Sequence, residues 1–441
     1  MVTSALLSLI LYSRWRNIAL STPRLWNKIY CIRPEEVDYE LPYWEEGRQG
    51  AAAFLARSRP FPVEINILGF VTEDDFSLEF IQLVCDHIGH CRHLSITLTT
   101  PHALLKALEH LSRQAVPVLS SIELAIGEPF DEMNFELGLL FPLGAPHLTT
   151  VQLHTISPSS LHFCLPAFTH VASLQLTGIW VEDDGYKSLR DTLMALRSLN
   201  HLELQLDCFD MINPHLPMVL PNMRFLQVEG KSNNACLDGV IHSIHAESLT
   251  TLFIKGRDGG IPEVNLFSEE EELEYSHCFP SLQHLILRNI SPYASDLRGA
   301  ARRFPGIERL TCQARALPYQ PTSDIYCRFI TQIRPRSPFS DLEDEEENGG
   351  GGNIAPPSDH KCWPKLHTIA MTAYNDRHRL NVVDLHLEVS RLQRAGHLIR
   401  KLELPHDMCL RASAQAMARL REVVEVEDFS MDWPTPFEKF I

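Results

Sequence analysis

The sequence predicts an α/β solenoid built from stacked strand-and-helix repeats. Three observations support this fold class: a leucine pattern with a three-then-two spacing, its steady recurrence, and a proline that leads several copies. The clearest copy is residues 279–290, FPSLQHLILRNI, in which Leu282, Leu285 and Leu287 carry the pattern. A step of two places both side chains on one face of a strand. One strand cannot bury that face alone, so stacked copies are required.

The pattern recurs along most of the 441-residue chain. Its copies start at Leu94, Leu119, Leu148, Val171, Leu199, Met223, Leu249, Leu282, Ile307, Leu366 and Ile399, with a last one at Val424–Val426. From Leu119 to Ile307 they recur every 23 to 33 residues, which brackets the leucine-rich-repeat period of about 20–29 residues. The sequence therefore predicts a leucine-rich-repeat solenoid (horseshoe) over residues 59–433. The alternative is a doubly wound sheet, which would not need this spacing in every unit.

The segments before and between the repeats follow in order. Residues 31–58 are predicted to be an irregular connector followed by an alanine-rich helix from Gly50 to Arg57. Strict alternation at Val63, Ile65 and Ile67 predicts the first strand. Helical stretches are predicted at residues 75–88, 103–112, 186–196 and 413–421, on the outer side of the strands. The chain ends in a tail, residues 434–441.

Residues 335–361 interrupt the rhythm of the repeats. They combine a run of carboxylates, EDEEE at 343–347, with four glycines at 349–352. Such a segment has nothing to bury, so we predict a disordered acidic insert. It is either a tolerated insertion between repeats or a docking segment for a basic partner.

The N-terminal segment has a helical pattern that ends at Ser21-Thr22-Pro23. Residues 13–26, SRWRNIALSTPRLW, resemble the second half of the F-box in basidiomycete fungal proteins whose F-box precedes leucine-rich repeats. Residues 53–67, AFLARSRPFPVEINI, are similar to the helix, turn and first strand of those families. The sequence lacks the first F-box helix, with its leucine-proline and acidic opening, so we expect an N-terminally incomplete, helical F-box-like segment over residues 1–30.

The resemblance implies a non-catalytic adaptor that recruits substrates to a cullin-based (SCF-type) ubiquitin ligase. The F-box-like segment would bind a Skp-type adaptor, and the concave repeat face would bind a protein target of unknown identity. The residues expected to contact the adaptor are Trp15, Ile18, Pro23, Leu25 and Trp26. The alternative is a leucine-rich-repeat scaffold without a ubiquitin-ligase role, in which the F-box half serves as an N-terminal cap.

Composition narrows the partners and the compartment. The formal net charge is −17, which disfavours nucleic acid or an anionic membrane as the main partner. The eleven cysteines are scattered without a Cys-x-x-Cys pair, as expected in a reducing compartment. No apolar run approaches the roughly 20 residues of a membrane span, and no basic region precedes the apolar start. We expect a cytoplasmic or nuclear protein.

No catalytic motif was found, and we expect no enzyme activity, no cofactor and no metal. The best metal candidate is the cluster Cys85, His87, His90, Cys91 and His93. Zinc requires four tetrahedral ligands, but this stretch should span a helix end and a strand, so its side chains should diverge. The pairs His242/His245 and His360/Cys362 are weaker candidates.

Residues that flank the buried leucines are expected to face the concave side. The partner-binding candidates are Gln152, His154, Glu203, Gln205, Glu229, Phe253, Lys255, Ile286 and Arg288. Phe253 and Ile286 are large apolar side chains at positions expected to face solvent, so they are predicted anchors of a protein contact. The alternative is that a neighbouring loop covers them.

Overall fold

The computed structural model describes residues 14–32, 43–68, 78–127, 139–209, 216–230, 235–256, 277–288, 294–314, 330–331, 333, 363–373, 381–429 and 435–437. The fold is α/β, with a large parallel sheet of 14 strands and helices between the strands. The chain divides into two compact units: residues 1–205, 210–213 and 435–441 form the first unit, and residues 206–209 and 214–434 form the second.

The elements follow one another regularly along the chain. The strands are β1 (Lys28–Ile32), β2 (Val63–Leu68), β3 (Cys91–Leu98), β4 (Ser121–Ile126), β5 (Thr150–His154), β6 (Ser173–Val181), β7 (His201–Phe209), β8 (Met218–Val219), β9 (Phe225–Gly230), β10 (Ile244–His245), β11 (Thr251–Lys255), β12 (His284–Arg288), β13 (Arg309–Ala314), β14 (Thr368–Ala373), β15 (Lys401–Leu404) and β16 (Glu425–Asp428). The helices are α1 (Tyr43–Ser58), α2 (Leu78–His87), α3 (Pro101–Leu111), α4 (Asp183–Ala195), α5 (Ala235–Ser243), α6 (Ala294–Arg303), α7 (Val382–Arg394), α8 (His406–Arg411) and α9 (Ala414–Val423).

The order of strands in the large sheet is the order of strands in the chain. Only β8 and β10 stand apart, and they form a separate two-stranded parallel sheet. A doubly wound sheet reverses its strand order at a switch point. No such reversal occurs here, so the doubly wound alternative is wrong.

A tight turn before the strand explains the three-residue step of the sequence pattern. In the reference copy the backbone N–H of Leu282 donates to the carbonyl of Phe279 at 3.2 Å, which closes a four-residue turn. Proline suits the second position of such a turn because its φ is already set and its missing N–H is not needed there. The same bond recurs at Leu119, Leu148, Val171, Leu199, Met223, Leu249 and Leu366.

The core consists of apolar rows that run from strand to strand. In the first unit, Ile65, Leu94 and Ile122 lie in register on β2, β3 and β4 and are buried. In the second unit, Leu252 and Leu285 lie in register on β11 and β12 and are likewise buried. Each such side chain contributes about 1.5–3 kcal/mol on burial. The predicted leucine positions are therefore confirmed as the buried face of the sheet.

The start of the sheet differs from the prediction. The first strand is β1, which precedes the predicted strand at Val63 and pairs with β2 in parallel, Ile29 beside Ile65. Helix α1 begins at Tyr43, inside the segment predicted to be irregular. In β1, Ile29 is buried between the exposed Lys28 and Tyr30, so this short segment gives almost no repeat signal.

Four of the predicted helices are confirmed as α2, α3, α4 and α9, within a few residues at each end. The start of α3 follows from its sequence: Pro101 occupies the first turn, and Thr100 Oγ1 accepts from the Ala103 N–H at 3.3 Å. Helices α5 to α8 were not predicted. The predicted insert at 335–361 lies outside the described residues, as do His360 and Cys362, one of the weaker metal candidates. None of the helices in the described ranges is long and apolar enough to cross a bilayer.

Candidate functional site

Residues 14–26, the described part of the N-terminal segment, pack against helix α1 through Trp26. The indole Nε1 of Trp26 donates to the Ala19 carbonyl at 2.7 Å. Its ring meets Phe54 of α1 edge-to-face, with 4.8 Å between centroids, and the Arg57 guanidinium lies 4.9 Å from its centre. Trp26 therefore holds residues 14–26 in place, and Pro23 opens the short 3-10 helix that carries it.

Three of the other predicted adaptor contacts are exposed to solvent. Trp15 is 67% exposed and Leu25 is 62% exposed, and Ile18 is also exposed. Trp15 and Ile18 are three residues apart on a helical turn, so they share one face. We call Trp15, Ile18 and Leu25 the apolar N-terminal patch. Of the predicted adaptor contacts, this patch is available to a partner, while Trp26 is committed to internal packing.

On the strands of the first unit, a row of polar side chains occupies the face opposite the leucines. Ser95 Oγ on β3 donates to Glu123 Oε2 on β4 at 2.8 Å. Glu123 Oε1 lies 3.3 Å from His154 Nε2 on β5, and His154 Nδ1 is hydrogen-bonded to Thr177 Oγ1 on β6. Gln152, in register between Glu123 and Gln175, is buried. We call this hydrogen-bonded set the polar row.

Hydrogen bonding keeps the central carboxylate of the polar row ionised. Burial of Glu123 would by itself raise its pKa, but the hydrogen bonds from His154 and Ser95, together with charge interactions with His154 and His93, outweigh burial, so the pKa of Glu123 lies below its usual value. A buried carboxylate satisfied on both sides is a structural element. The predicted partner contact His154 is therefore already engaged within the protein.

A second polar group of the first unit surrounds Glu203 on β7. Gln175 Nε2 donates to Glu203 Oε2 at 2.7 Å, and Glu203 Oε1 lies 2.9 Å from His201 Nε2. The imidazole of His201 meets the ring of Phe437 edge-to-face, with 5.7 Å between centroids. Phe437 belongs to the predicted tail and is buried. Gln205, another predicted contact, is partly exposed.

The second unit carries ion pairs at the equivalent strand positions. Arg309 on β13 makes a bidentate contact with Glu403 on β15, with N–O distances of 2.7 and 2.6 Å. Glu403 is buried and also lies 3.4 Å from Lys401. Ala370, in register between Thr311 and Glu403, leaves room for the guanidinium above β14. We call Arg309, Glu403 and Lys401 the cation–carboxylate cluster.

His284 borders this cluster and is kept neutral. Its Nε2 is hydrogen-bonded to Thr311 Oγ1 at 2.8 Å. Burial lowers the pKa of His284 to about 4, and the positive charge of Arg309 acts in the same direction. His284 is therefore uncharged at neutral pH.

The expectation that Phe253 and Ile286 are exposed is wrong. Phe253 is 2% exposed and Ile286 is 1% exposed. They lie in register on β11 and β12, where a side chain in the middle of a sheet has neighbours across both strands. Their burial removes them as ready-made anchors of a protein contact.

The charged candidates of the second unit are also largely engaged. Lys255 Nζ donates to Glu229 Oε1 at 2.7 Å, which joins β11 to β9. Glu229 is buried, although it was expected to face solvent. Arg288, at the end of β12, is partly buried. At Lys255 and Glu229, two positions that the sequence predicted to be open, the strand face is therefore occupied by an internal ion pair.

The predicted zinc candidates are spread over a helix end, a 3-10 turn and a strand, and two of them, His87 and His90, have ring centroids 5.2 Å apart. Cys85 and His87 end α2, His90 lies on a 3-10 turn, and Cys91 and His93 belong to β3. Burial lowers the pKa of His87 and His90 and raises the pKa of Cys91 to about 12. Within the described ranges, no group of three or more His, Cys, Asp or Glu side chains is arranged to hold a metal ion.

Several residues of these surfaces were not found by sequence reasoning. Ser95 and Glu123 occupy the register row of the predicted residue Gln152, and Glu403 occupies that of Ile286. Aligning the strands by register would have found these three, but not Arg309, which lies in register with His284 and Thr368. Phe437 gives no such signal, because it lies outside the repeats. No protein-family model matches the chain, and no curated protein matches it in sequence.

Proposed function

We propose that this protein is a non-catalytic, substrate-recruiting adaptor of a cullin-based ubiquitin ligase in the cytoplasm or nucleus. In this proposal the repeats form a leucine-rich-repeat solenoid that binds a protein target, and the F-box-like segment binds a Skp-type adaptor. The recurring turn and strand, with leucines at the same positions in each copy, support the leucine-rich-repeat assignment. The resemblance of residues 13–26 to an F-box supports the ligase assignment.

The apolar N-terminal patch is the observation that carries the proposal. Trp15 and Leu25 present large apolar surfaces to solvent, and Trp26 fixes the segment that bears them. Trp15 and Ile18 share one helical face, and adjacent exposed apolar side chains are typical of a protein interface. Tryptophan is enriched among the residues that dominate such interfaces.

The test is co-purification with a Skp-type adaptor. We expect the chain to bind, and the double variant Trp15→Ala/Leu25→Ala to bind at least tenfold more weakly, because each buried apolar side chain contributes about 1.5–3 kcal/mol. The matched control is Trp180→Ala/Leu143→Ala, which removes a tryptophan and a leucine that are 62% and 74% exposed elsewhere in the first unit. The control should bind as the unchanged chain does.

The structure sharpens the choice of variant. Trp26→Ala would remove the contact with Phe54 and the bond to Ala19, so loss of binding could reflect local unfolding. The Trp15 and Leu25 substitutions avoid this problem. If neither the chain nor a version extended by a first F-box helix binds the adaptor, the ligase proposal is lost.

The second candidate function is a leucine-rich-repeat scaffold whose N-terminal segment caps the sheet. The pairing of β1 with β2 and the Lys28–Glu64 ion pair at 3.0 Å favour it, because they make the segment part of the fold. Unfolding separates the two functions. A cap role predicts that removal of residues 1–32 lowers the unfolding temperature. The scaffold function is favoured over the ligase function if, in addition, the untruncated chain does not bind the Skp-type adaptor.

A further inference from the structure

We propose that the first unit contains a subsite for a phenylalanine side chain, formed at His201 and occupied by Phe437 of the protein's own C-terminal segment. A partner segment that carries a phenylalanine flanked by proline would compete for the same subsite. The C-terminal segment would then act as an intramolecular competitor. The inference does not rest on the ubiquitin-ligase proposal, because it concerns what this surface binds in any complex.

The contact consists of one buried aromatic ring at the end of an exposed segment. Phe437 is 5% exposed, while Thr435 and Pro436 are exposed. The ring centroid lies 5.7 Å from that of His201 at an interplanar angle of 66°, the edge-to-face arrangement that aromatic pairs prefer. Among the described residues 435–437, one side chain is anchored and two are exposed, and a peptide contact concentrated in one aromatic anchor has this pattern.

The receiving side is rigid. His201 Nε2 is held by Glu203 Oε1 at 2.9 Å, and the other oxygen of Glu203 accepts from Gln175 at 2.7 Å. The imidazole orientation is therefore fixed by two neighbouring strands, independently of Phe437. A subsite that is organised before its ligand arrives avoids the entropy cost of ordering on binding.

The occupying segment is also ordered locally. The Phe437 N–H donates to Thr435 Oγ1 at 3.3 Å, and the intervening proline restricts the backbone. The geometry thus defines the chemistry of a competing partner: a hydroxyl residue, a proline and then a phenylalanine, in an accessible segment. The phenylalanine would supply most of the affinity.

Tethering makes the competition effective. A segment linked to its own subsite has an effective concentration in the millimolar range when the linker can span the distance. If the C-terminal segment itself has a dissociation constant near 100 μM for the subsite, a partner peptide would bind the intact chain roughly tenfold more weakly than a chain whose subsite is open. A partner with several such segments, or one held nearby by another contact, would overcome this barrier.

The experiment uses a fluorescein-labelled peptide of residues 431–441, MDWPTPFEKFI, and full-length protein. Fluorescence anisotropy should show that the Phe437→Ala protein binds the peptide roughly tenfold more tightly than the unchanged protein does. The same peptide with alanine in place of its first phenylalanine should bind at least tenfold more weakly. Equal affinity of both proteins for the peptide, or no binding to either, would overturn the proposal.

Two controls keep the result specific. Adding His201→Asn to Phe437→Ala should weaken peptide binding, whereas adding His170→Asn, at an exposed histidine of the same unit, should leave it unchanged. A second measurement is needed in case Phe437→Ala destabilises the protein. For it, 4-fluorophenylalanine is placed at position 437 of the otherwise unchanged chain, where it gives a fluorine NMR signal. Excess peptide should shift that signal from its buried to its exposed position, and a signal that does not move would mean that Phe437 is only a structural plug.

Discussion

The two units use equivalent strand positions for different chemistry. In the first unit the polar row links Ser95, Glu123 and His154 by hydrogen bonds across successive strands. In the second unit the corresponding positions hold the buried side chains Phe253 and Ile286, next to ion pairs. The leucine rows are alike in both units because burial of the core fixes them. The opposite face is free to vary, so it is where the two units differ.

The largest expected effect comes from Phe253. We expect Phe253→Ala to lower the free energy of unfolding of the second unit by about 3–5 kcal/mol, because a buried ring leaves a cavity. Gln152→Ala, at a buried polar position of the first unit, should cost about 1 kcal/mol. Urea denaturation followed by circular dichroism measures both, and hydrogen exchange of β11 and β12 localises the loss. If Phe253→Ala costs less than about 0.5 kcal/mol, Phe253 is not packed in the protein, and the prediction that it is an exposed anchor would be restored.

This case shows what the sequence could and could not determine. The three-then-two spacing located the strands because it reports the turn and the core face, which depend on local residues. The burial of Phe253 depends on what surrounds the opposite face, and no local pattern encodes that. The first strand was missed for a related reason, since Ile29 is the one buried residue among Lys28, Ile29 and Tyr30. The contact of Phe437 with His201 joins distant parts of the chain, beyond any periodicity.

For the candidate surfaces, the sequence identified residues on the correct segments but not which of them are engaged within the protein. The F-box-like pattern indicated five apolar residues, and the structure separates them by role, with Trp15 and Leu25 exposed and Trp26 packed on Phe54. On the strands, alternation identified the correct face but not its closure by ion pairs. Arg309 reaches Glu403 across an intervening strand, and a long side chain of this kind has no signature in sequence spacing.

The cation–carboxylate cluster provides the next test of the comparison. Arg309→Met removes the bidentate partner of the buried Glu403, and we expect it to lower the free energy of unfolding by about 3 kcal/mol. The matched control is Arg190→Met, which breaks the ion pair with Asp191 on the surface of α4 and should cost no more than about 0.5 kcal/mol. Urea denaturation compares the two variants.

A double variant distinguishes the cost of leaving Glu403 buried and unpaired from the stability that the ion pair itself contributes. Arg309→Met combined with Glu403→Leu should recover most of the stability that Arg309→Met loses, because apolar side chains of similar volume can replace a buried ion pair. Our account of the cluster is wrong if the double variant is less stable than Arg309→Met alone. That result would mean that removing the unpaired buried carboxylate of Glu403 does not restore stability.

The smallest expected effect is the pH dependence of stability, which we compare between the two units. The pKa of His284 is about 4 in the folded protein, below its usual value of about 6.5, so the unfolded chain takes up the proton first as the pH falls. The stability contributed by His284 is therefore complete above pH 6.5 and declines down to pH 4, with on the order of 2 kcal/mol lost by pH 5. In the first unit the pKa of Glu123 is also lowered, so the stability that Glu123 contributes is lost only as the pH falls below the usual carboxylate range.

Thermal unfolding measured from pH 7 to pH 4 should show that the second unit loses stability first. The variant His284→Gln retains a hydrogen-bonding side chain beside Thr311 but cannot titrate, so it should flatten the pH dependence between pH 6.5 and 4. A variant with the slope of the unchanged protein would show that groups other than His284 set the acid sensitivity of the second unit.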